Sequence, residues 1–594
     1  MIRIPTLAAN VTLIKILLVL ICLSLMACTS KTESRVDQQK VENLIKFAEI
    51  YGIVKYFHPS DEAYDLDWNK FAIYSTEEIL KCETQEQFSQ KLDSLFLPIV
   101  PASKFEGTST DDSFSETFWH HQGVGFGMKK NGLYFSERLI VNEATDTLPY
   151  RPKLGDAMNI DVLEDKSFTI PIVLLRNESG TLPKSNPNEM EVLNRKLKKF
   201  KIDENGLAFR LGNLINVYNV FQHFFPYLDV LSIDWQQELR NAIVGSFVDS
   251  SKSDHVTRLQ KFTAPLQDGH ISIDVIGEKD HYYYPPISWE WIQNKLIITR
   301  VWNTDLNLKV GDEVSKVNGQ DSKDYFDEME SRISSGTKGW LRYRSENESL
   351  RGKENSKLII QVDKREIVLK RNMHNYDRDK GIKPYEKLHN NIHYLNLTLL
   401  DWQTMEYLLP ELEKSNGIIC DLRGYPNGSE RIVNHLLKKV DTAKGWLRIP
   451  KIVFPNQKKI TNYVEGDWTE TMIPAQPYLG DKNIVFITNG SAISYAESIM
   501  GFVKGYKLAT IVGQPTAGTN GNYNIFTLPG NIQIKWTGMQ VLKLDGTQLY
   551  GIGILPDVYV EKTVDGLINH KDEFLDKGLK LVNKKISAAN IGNN

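Results

Sequence analysis

Apolar residues fall at helical spacing in two stretches that match each other. "YGIVKYFHP" at 51–59 aligns with "YNVFQHFFP" at 218–226, an offset of 167 positions. The same offset carries Asp67-Trp68 onto Asp234-Trp235, Leu92 onto Leu259 and Pro98 onto Pro265. A gapless register over that span is the mark of an internal duplication. Each copy predicts helix, loop, helix, helix. They part just after the shared proline, where the second continues "LQDGH" and the first "IVPAS". Between the copies, over 105–200, turn-rich strand patterns such as "KSFTIPIVLL" predict a β-rich domain.

From about 385 the pattern alternates. "NIHYLNLTLL" predicts a strand, "TMEYLLPELEKS" a helix and "GIICDLRG" a buried strand. "SERIVNHLLKKV" predicts a helix, "NIVFITNG" a strand, "SAISYAESIMGFVKGY" a helix and "LATIVG" a strand. Strands alternating with helices argue a largely parallel sheet covered by helices. A strand-rich stretch, "NIFTLPGNIQIKWTGMQVLKLDG", and an amphipathic helix, "DEFLDKGLKLVNKK", close the pattern. Ahead of it, "LKVGDEVSKVNGQDSKDYFDEM" places Val314 and Val317 inward and a tight turn at Asn318-Gly319. It resembles the Gly-Asp-x-Ile-x-x-Ile-Asn-Gly core of a PDZ domain, which captures peptide C-termini by strand addition.

Composition changes this picture at one end only. With 594 residues the chain is too long for one core, and its net charge of −3 gives no electrostatic footprint for nucleic acid. The N-terminus carries Arg3, Lys15 and the apolar run "LIKILLVLICLSLMAC", which reads as a signal peptide over 1–27. Leu25-Met26-Ala27-Cys28 resembles a bacterial lipobox, which implies a lipid on Cys28, a polar tether over 28–40 and a membrane-anchored protein facing the periplasm or cell exterior. Of four cysteines only Cys82 and Cys420 then remain, so a disulfide framework is not expected. Neither metal spacing nor an organic cofactor motif appears.

An α/β sheet offers its site at the C-terminal ends of its parallel strands. Three segments end there in suggestive residues: Asp421 to Gly428, Asn489 to Ser494, and Gly513 to Gly521. Asn489-Gly490 would turn the chain, with Ser491 as N-cap and Ser494 in the first helical turn, near unpaired amides and the positive end of the dipole. Glu497 would fall on the same face.

In their order, "DLRGYPNG", "NGSAISYAES", "VGQPTAG" and "YGIGILPDV" behind a PDZ-like stretch resemble the tail-specific, C-terminal processing serine peptidases, over roughly 205–585. The resemblance implies a crotonase-like core at 376–585, a PDZ-like domain at 280–375 and a helical cap at 201–279; with the helices at 41–104 and strands at 105–200 read from the pattern itself, the expected fold is multidomain α/β. It implies hydrolysis of peptide bonds in a polypeptide substrate through Ser494, without cofactor. The lysine that one branch uses as base would stand at Thr519 and is missing; Lys504 and Lys507 lie further along the helix. "PTAG" resembles the tricorn-like branch, which uses a histidine, and this points to His270 in "QDGH". That branch orients its histidine with a glutamate near "DGTQLYGIGILPD", where this chain offers only Gln548 or Asp545, with Glu497 as a third choice. The resemblance draws the oxyanion hole from the amides of Tyr495, Gly428 and Gly424. The competing expectation is a catalytically silent, peptide-binding envelope protein on the same scaffold.

Overall fold

The computed structural model describes residues 37–592 except 102–113, 124–134, 142–147, 149, 165, 278–281, 376–377, 379–381, 458–462 and 466–471. The signal peptide and Cys28 lie outside the described residues, as does most of the tether, and a helix starts at Gln38. No helix among the described residues is long and apolar enough to cross a membrane.

The duplication is built as helices Gln38–Phe57, Trp68–Leu80 and Gln85–Phe96 against Leu207–Phe224, Trp235–Ser246 and Lys252–Thr263. Their caps repeat too. Asp67 and Asp234 accept from the amides of Lys70 and Gln237, and Thr84 and Ser251 from those of Gln87 and Asp254. The long helices of the two copies pack on each other. The Asn219 amide donates to Ala48 O at 3.0 Å and to Ile215 O at 2.9 Å, carbonyls that are equivalent under the offset. Its counterpart is Gly52, where a Cβ would sit 1.8 Å from Asn219 Oδ1, so only glycine leaves room for it.

The central sheet runs Tyr385–Leu388, Ile392–Asn396, Gly417–Asp421, Asn483–Thr488, Thr510–Gly513, Val558–Tyr559. The first pair is antiparallel and the others parallel. One face, with Leu395, Cys420 and Phe486, packs in a core with Leu412, Ile499 and Val503. The other, with Ile419, Val485 and Val512, packs on Phe574 and Val582 of the helix Glu573–Gly592. Burial on both faces explains why these strands read as unbroken apolar runs.

Two expectations change. The strands of 105–200 do not close on themselves: Ser115–Gln122 pairs with Phe135–Ile140 and Leu174–Asn177, but also with core strand Leu447–Ile452, at His121↔Ile452. Part of this segment therefore shares a sheet with the core. "SERIVNHLLKKV" forms only a 3₁₀ helix, Ser429–Leu436, held by Ser429 Oγ donating to Leu397 O and by His435 Nδ1 against Pro477 O.

Residues 282–373 fold around a separate core of Trp289, Ile298, Val314, Phe326, Leu358 and Leu369. Val314 and Val317 are both buried although three positions apart, because the register shifts between Val314 and Lys316. Its segment 334–340, a loop running into the helix Lys338–Leu350, lies against the central sheet's loops: a Cβ on Gly339 would come within 2.9 Å of Gly490 Cα, and Thr337 Oγ1 donates to Thr516 O at 3.0 Å.

Candidate active site

Parallel strands Gly417–Asp421 and Asn483–Thr488 end side by side, and Leu422 N donating to Ile487 O continues the pairing past the strand end. The loops that follow therefore open on one edge of the sheet. In the second loop Asn489 Oδ1 accepts from Ser491 N at 3.1 Å and from Ser491 Oγ at 2.6 Å. Ser491 is thus spent on an Asx turn and does not cap the helix. The helix runs Tyr495–Gly505, three residues later than its pattern suggests, and Ser494 occupies the N-cap position itself.

Ser494 has φ 59° and ψ −122°. For a residue with a β-carbon this is a sparsely populated conformation, costing about 1–3 kcal/mol that the surroundings must supply. They do so through Ser494 N donating to Thr519 O and Ala517 N to Ala492 O, both at 2.9 Å. Its hydroxyl makes no capping bond. The result is a serine on a sharp strand-to-helix turn, its oxygen at the positive end of a helix. Tyr495 follows it as the first residue of the helix. Ser498 instead accepts from Asn520 Nδ2 at 3.0 Å.

Glu497 is fully buried and faces the 514–521 loop, not His270. Its carboxylate accepts from Thr516 Oγ1 at 2.5 Å, Gly518 N at 2.7 Å and Thr519 N at 2.8 Å. Burial pushes its pKa up to about 8 against the pull of those donors. Glu497 therefore shapes the loop that holds Ser494.

His270 reaches this edge from the second copy. The helix Lys252–Thr263 ends in a 3₁₀ turn, Gln267 takes a left-handed φ of 52°, and the strand Ser272–Val275 then pairs with Ile532–Thr537. Thr519, at the position of the missing lysine, joins the two parts. Its Oγ1 accepts from Gly269 N and its carbonyl from Ser494 N, each at 2.9 Å. His270 Nδ1 lies 2.8 Å from Thr537 Oγ1, and Thr537 in turn donates to Asp268. Burial lowers the imidazole pKa, while the Asp268 charge opposes that shift. Among the described residues neither His270 Nε2 nor Ser494 Oγ has a protein hydrogen-bond partner.

The expected orienters do not touch His270. Gln548 Nε2 donates to Tyr550 O, and Asp545 accepts from Thr547 in an exposed turn. What sequence reasoning missed is Thr537. It is fully buried beside the equally buried Trp536, against the strand's in-out alternation. The lysines fare no better: Lys504 is paired with Asp557 on the surface, and Lys507 follows the end of the helix.

The loop after Asp421 completes the edge. Gly428 takes φ 92° and Gly424 φ 147°, conformations that a residue with a β-carbon rarely adopts. Arg423 is occupied structurally, donating to Asp421 and with two nitrogens to Asp572. Tyr425, on this loop, is 55% exposed, and Tyr523 is 53% exposed, with its ring 6.3 Å from that of His270. Together they leave an open aromatic rim at the site.

Residues 391–560, the stretch holding these strands and loops, match the model of peptidase family S41. Over this stretch the chain is similar to peptidase family S41. A carboxy-terminal-processing protease of Bartonella bacilliformis is 26% identical over 155 residues, 25% of this chain and 32% of that one. The match thus spans about a third of that relative. Among solved structures, mature CPAF complexed with lactacystin aligns at TM-score 0.52 and 14% identity, over 65% of this chain and 99% of that one. Mature CPAF aligns at TM-score 0.50 and 14% identity, over 64% and 98%. These likenesses are of fold.

Proposed function

We propose that this protein is an extracytoplasmic, lipid-anchored serine endopeptidase with Ser494 as nucleophile and His270 as general base. The observation that carries the reading is the strained Ser494 turn locked to the His270 turn through one residue, Thr519. Ser494 Oγ attacks the scissile carbonyl carbon as its proton passes to His270 Nε2. The amides of Tyr495 and of Gly428 or Gly424 receive the oxyanion. Collapse breaks the C–N bond, the amine leaves with the proton from His270, and water hydrolyses the acyl-serine by the same route. The 280–375 unit acts as a PDZ-like holder of extended peptide, and lipid on Cys28 keeps the enzyme at the membrane.

Treatment with a fluorophosphonate followed by adduct mapping tests the reading. We expect labelling of Ser494, lost in Ser494→Ala and reduced at least a hundred-fold in His270→Ala. Absence of a Ser494 adduct where a control serine peptidase reacts would leave the scaffold a silent peptide binder.

A further inference from the structure

We propose that Thr537 and Asp268 form a relay that positions His270 and fixes its tautomer, taking the place of the glutamate that this chain lacks. The inference rests on the peptidase reading for its purpose but on hydrogen-bond accounting for its content. Asp268 is fully buried. Its Oδ1 accepts from His270 N at 3.0 Å and from Thr537 Oγ1 at 2.7 Å, and its Oδ2 from Thr537 N at 2.7 Å. A carboxylate only accepts, so the single hydroxyl proton of Thr537 is committed to Asp268. Thr537 Oγ1 therefore has only lone pairs to offer at 2.8 Å to His270 Nδ1. Nδ1 must be the protonated nitrogen, which leaves the lone pair on Nε2, the nitrogen that has no protein partner among the described residues.

Three anchors make this a device rather than one contact. Asp268 N donates to Ser334 Oγ at 2.8 Å, and Gly269 N to Thr519 Oγ1 at 2.9 Å. The strand Ile532–Thr537 pairs with Ser272–Val275, whose first residue is two beyond His270. The turn that carries the ring is thus braced from the 282–373 unit, the 514–521 loop and the strand that carries Thr537. When His270 takes a proton, the added charge on the ring is felt by Asp268 through one hydroxyl. Thr537 and Asp268 are positioning residues, and neither needs to meet substrate.

The test separates tautomer from turnover. In the full chain labelled with ¹⁵N-histidine, the His270 resonances, assigned against His270→Gln, report which nitrogen carries the proton. We expect the Nδ1–H form in the wild type and a shift towards Nε2–H in Thr537→Val, which keeps the residue's shape and its amide bond to Asp268. Fluorophosphonate labelling of Ser494 should fall about ten-fold or more in Thr537→Val and recover to within about three-fold in Thr537→Ser. A wild-type Nε2–H tautomer, or unchanged labelling in Thr537→Val, overturns the relay. A wild type that never labels defeats the peptidase reading alone, since the tautomer result stands without activity.

Discussion

The two helical copies share a scaffold and differ in what their last turn is attached to. In the first, Tyr51 packs on Trp68 and Phe71, Phe71 on Phe96, and Phe96 on Phe168 of the hairpin 157–171. In the second, Tyr218 stacks on Trp235, Trp235 meets Phe262 and Phe221, and Phe221 meets Trp536, the neighbour of Thr537. The shared Tyr–Trp pair thus leads, through phenylalanines that do not correspond, to a structural hairpin in one copy and to the strand beside the proposed base in the other. After the shared proline the first copy buries Ile99 and Val100. The second turns out through Gln267 to present Asp-Gly-His. A duplicated packing unit has kept its fold in both places, and the copies part through a few residues beyond the last helix.

Removing the equivalent tryptophans breaks that comparison most strongly. Trp235 is 5% exposed, so Trp235→Ala should cost about 3–5 kcal/mol. Because its cavity opens beside Phe221 and Trp536, labelling of Ser494 should fall in the protein that remains folded. Trp68 is only half-buried, so Trp68→Ala should cost less and leave labelling near wild type. Urea unfolding and labelling on the same samples read both effects. Equal loss of labelling in the two variants would mean that the copies are coupled through Asn219 and Tyr51 as one rigid body.

How much of this could be read in advance follows from the range of each interaction. The duplication and the parallel core were legible, because helical spacing and unbroken apolar runs are local consequences of burial. Ser494 and His270 are chosen from short motifs, and the structure joins their two turns through Thr519. The helix start was not, since the Asn489 side chain competes for Ser491 and pushes the first turn to Tyr495. The shared sheet was not, because His121 and Ile452 are partners with no local trace of each other. Thr537 was not, because a hydroxyl one place out of alternation carries no motif; only the buried Asp268 gives it meaning.

A smaller effect sharpens the comparison through pH. The offset pairs His58 with Phe225, and both are buried. Burial lowers the His58 pKa to about 4 against the pull of Pro171 O, 2.7 Å from Nδ1. A histidine so depressed contributes no penalty above its unfolded value near 6.5. Below that the unfolded chain binds a proton the folded one refuses, and stability falls by about 1.4 kcal/mol per pH unit until about pH 4. His58→Phe copies the second repeat. It should lose about 1 kcal/mol at pH 7 with the Pro171 bond, and overtake the wild type below about pH 5.5. Parallel pH curves for the two proteins would mean that His58 is protonated inside the fold.

The smallest expected effect tests the choice of base. Lys504 is 42% exposed at its side chain and pairs with Asp557, which also accepts from Ile511 N at 2.8 Å. An exposed pair of this kind is worth about 0–1 kcal/mol, so Lys504→Ala should barely move the unfolding midpoint. Labelling of Ser494 should be unchanged, as it should in Lys507→Ala. A lysine able to deprotonate Ser494 would need its amine beside the hydroxyl, whereas Lys504 pairs with Asp557, just ahead of the sheet's last strand. Loss of labelling in either lysine variant, with His270→Ala still reactive, would move the base from the second copy's turn to the helix that Ser494 begins. The difference between the copies would then be one of packing alone.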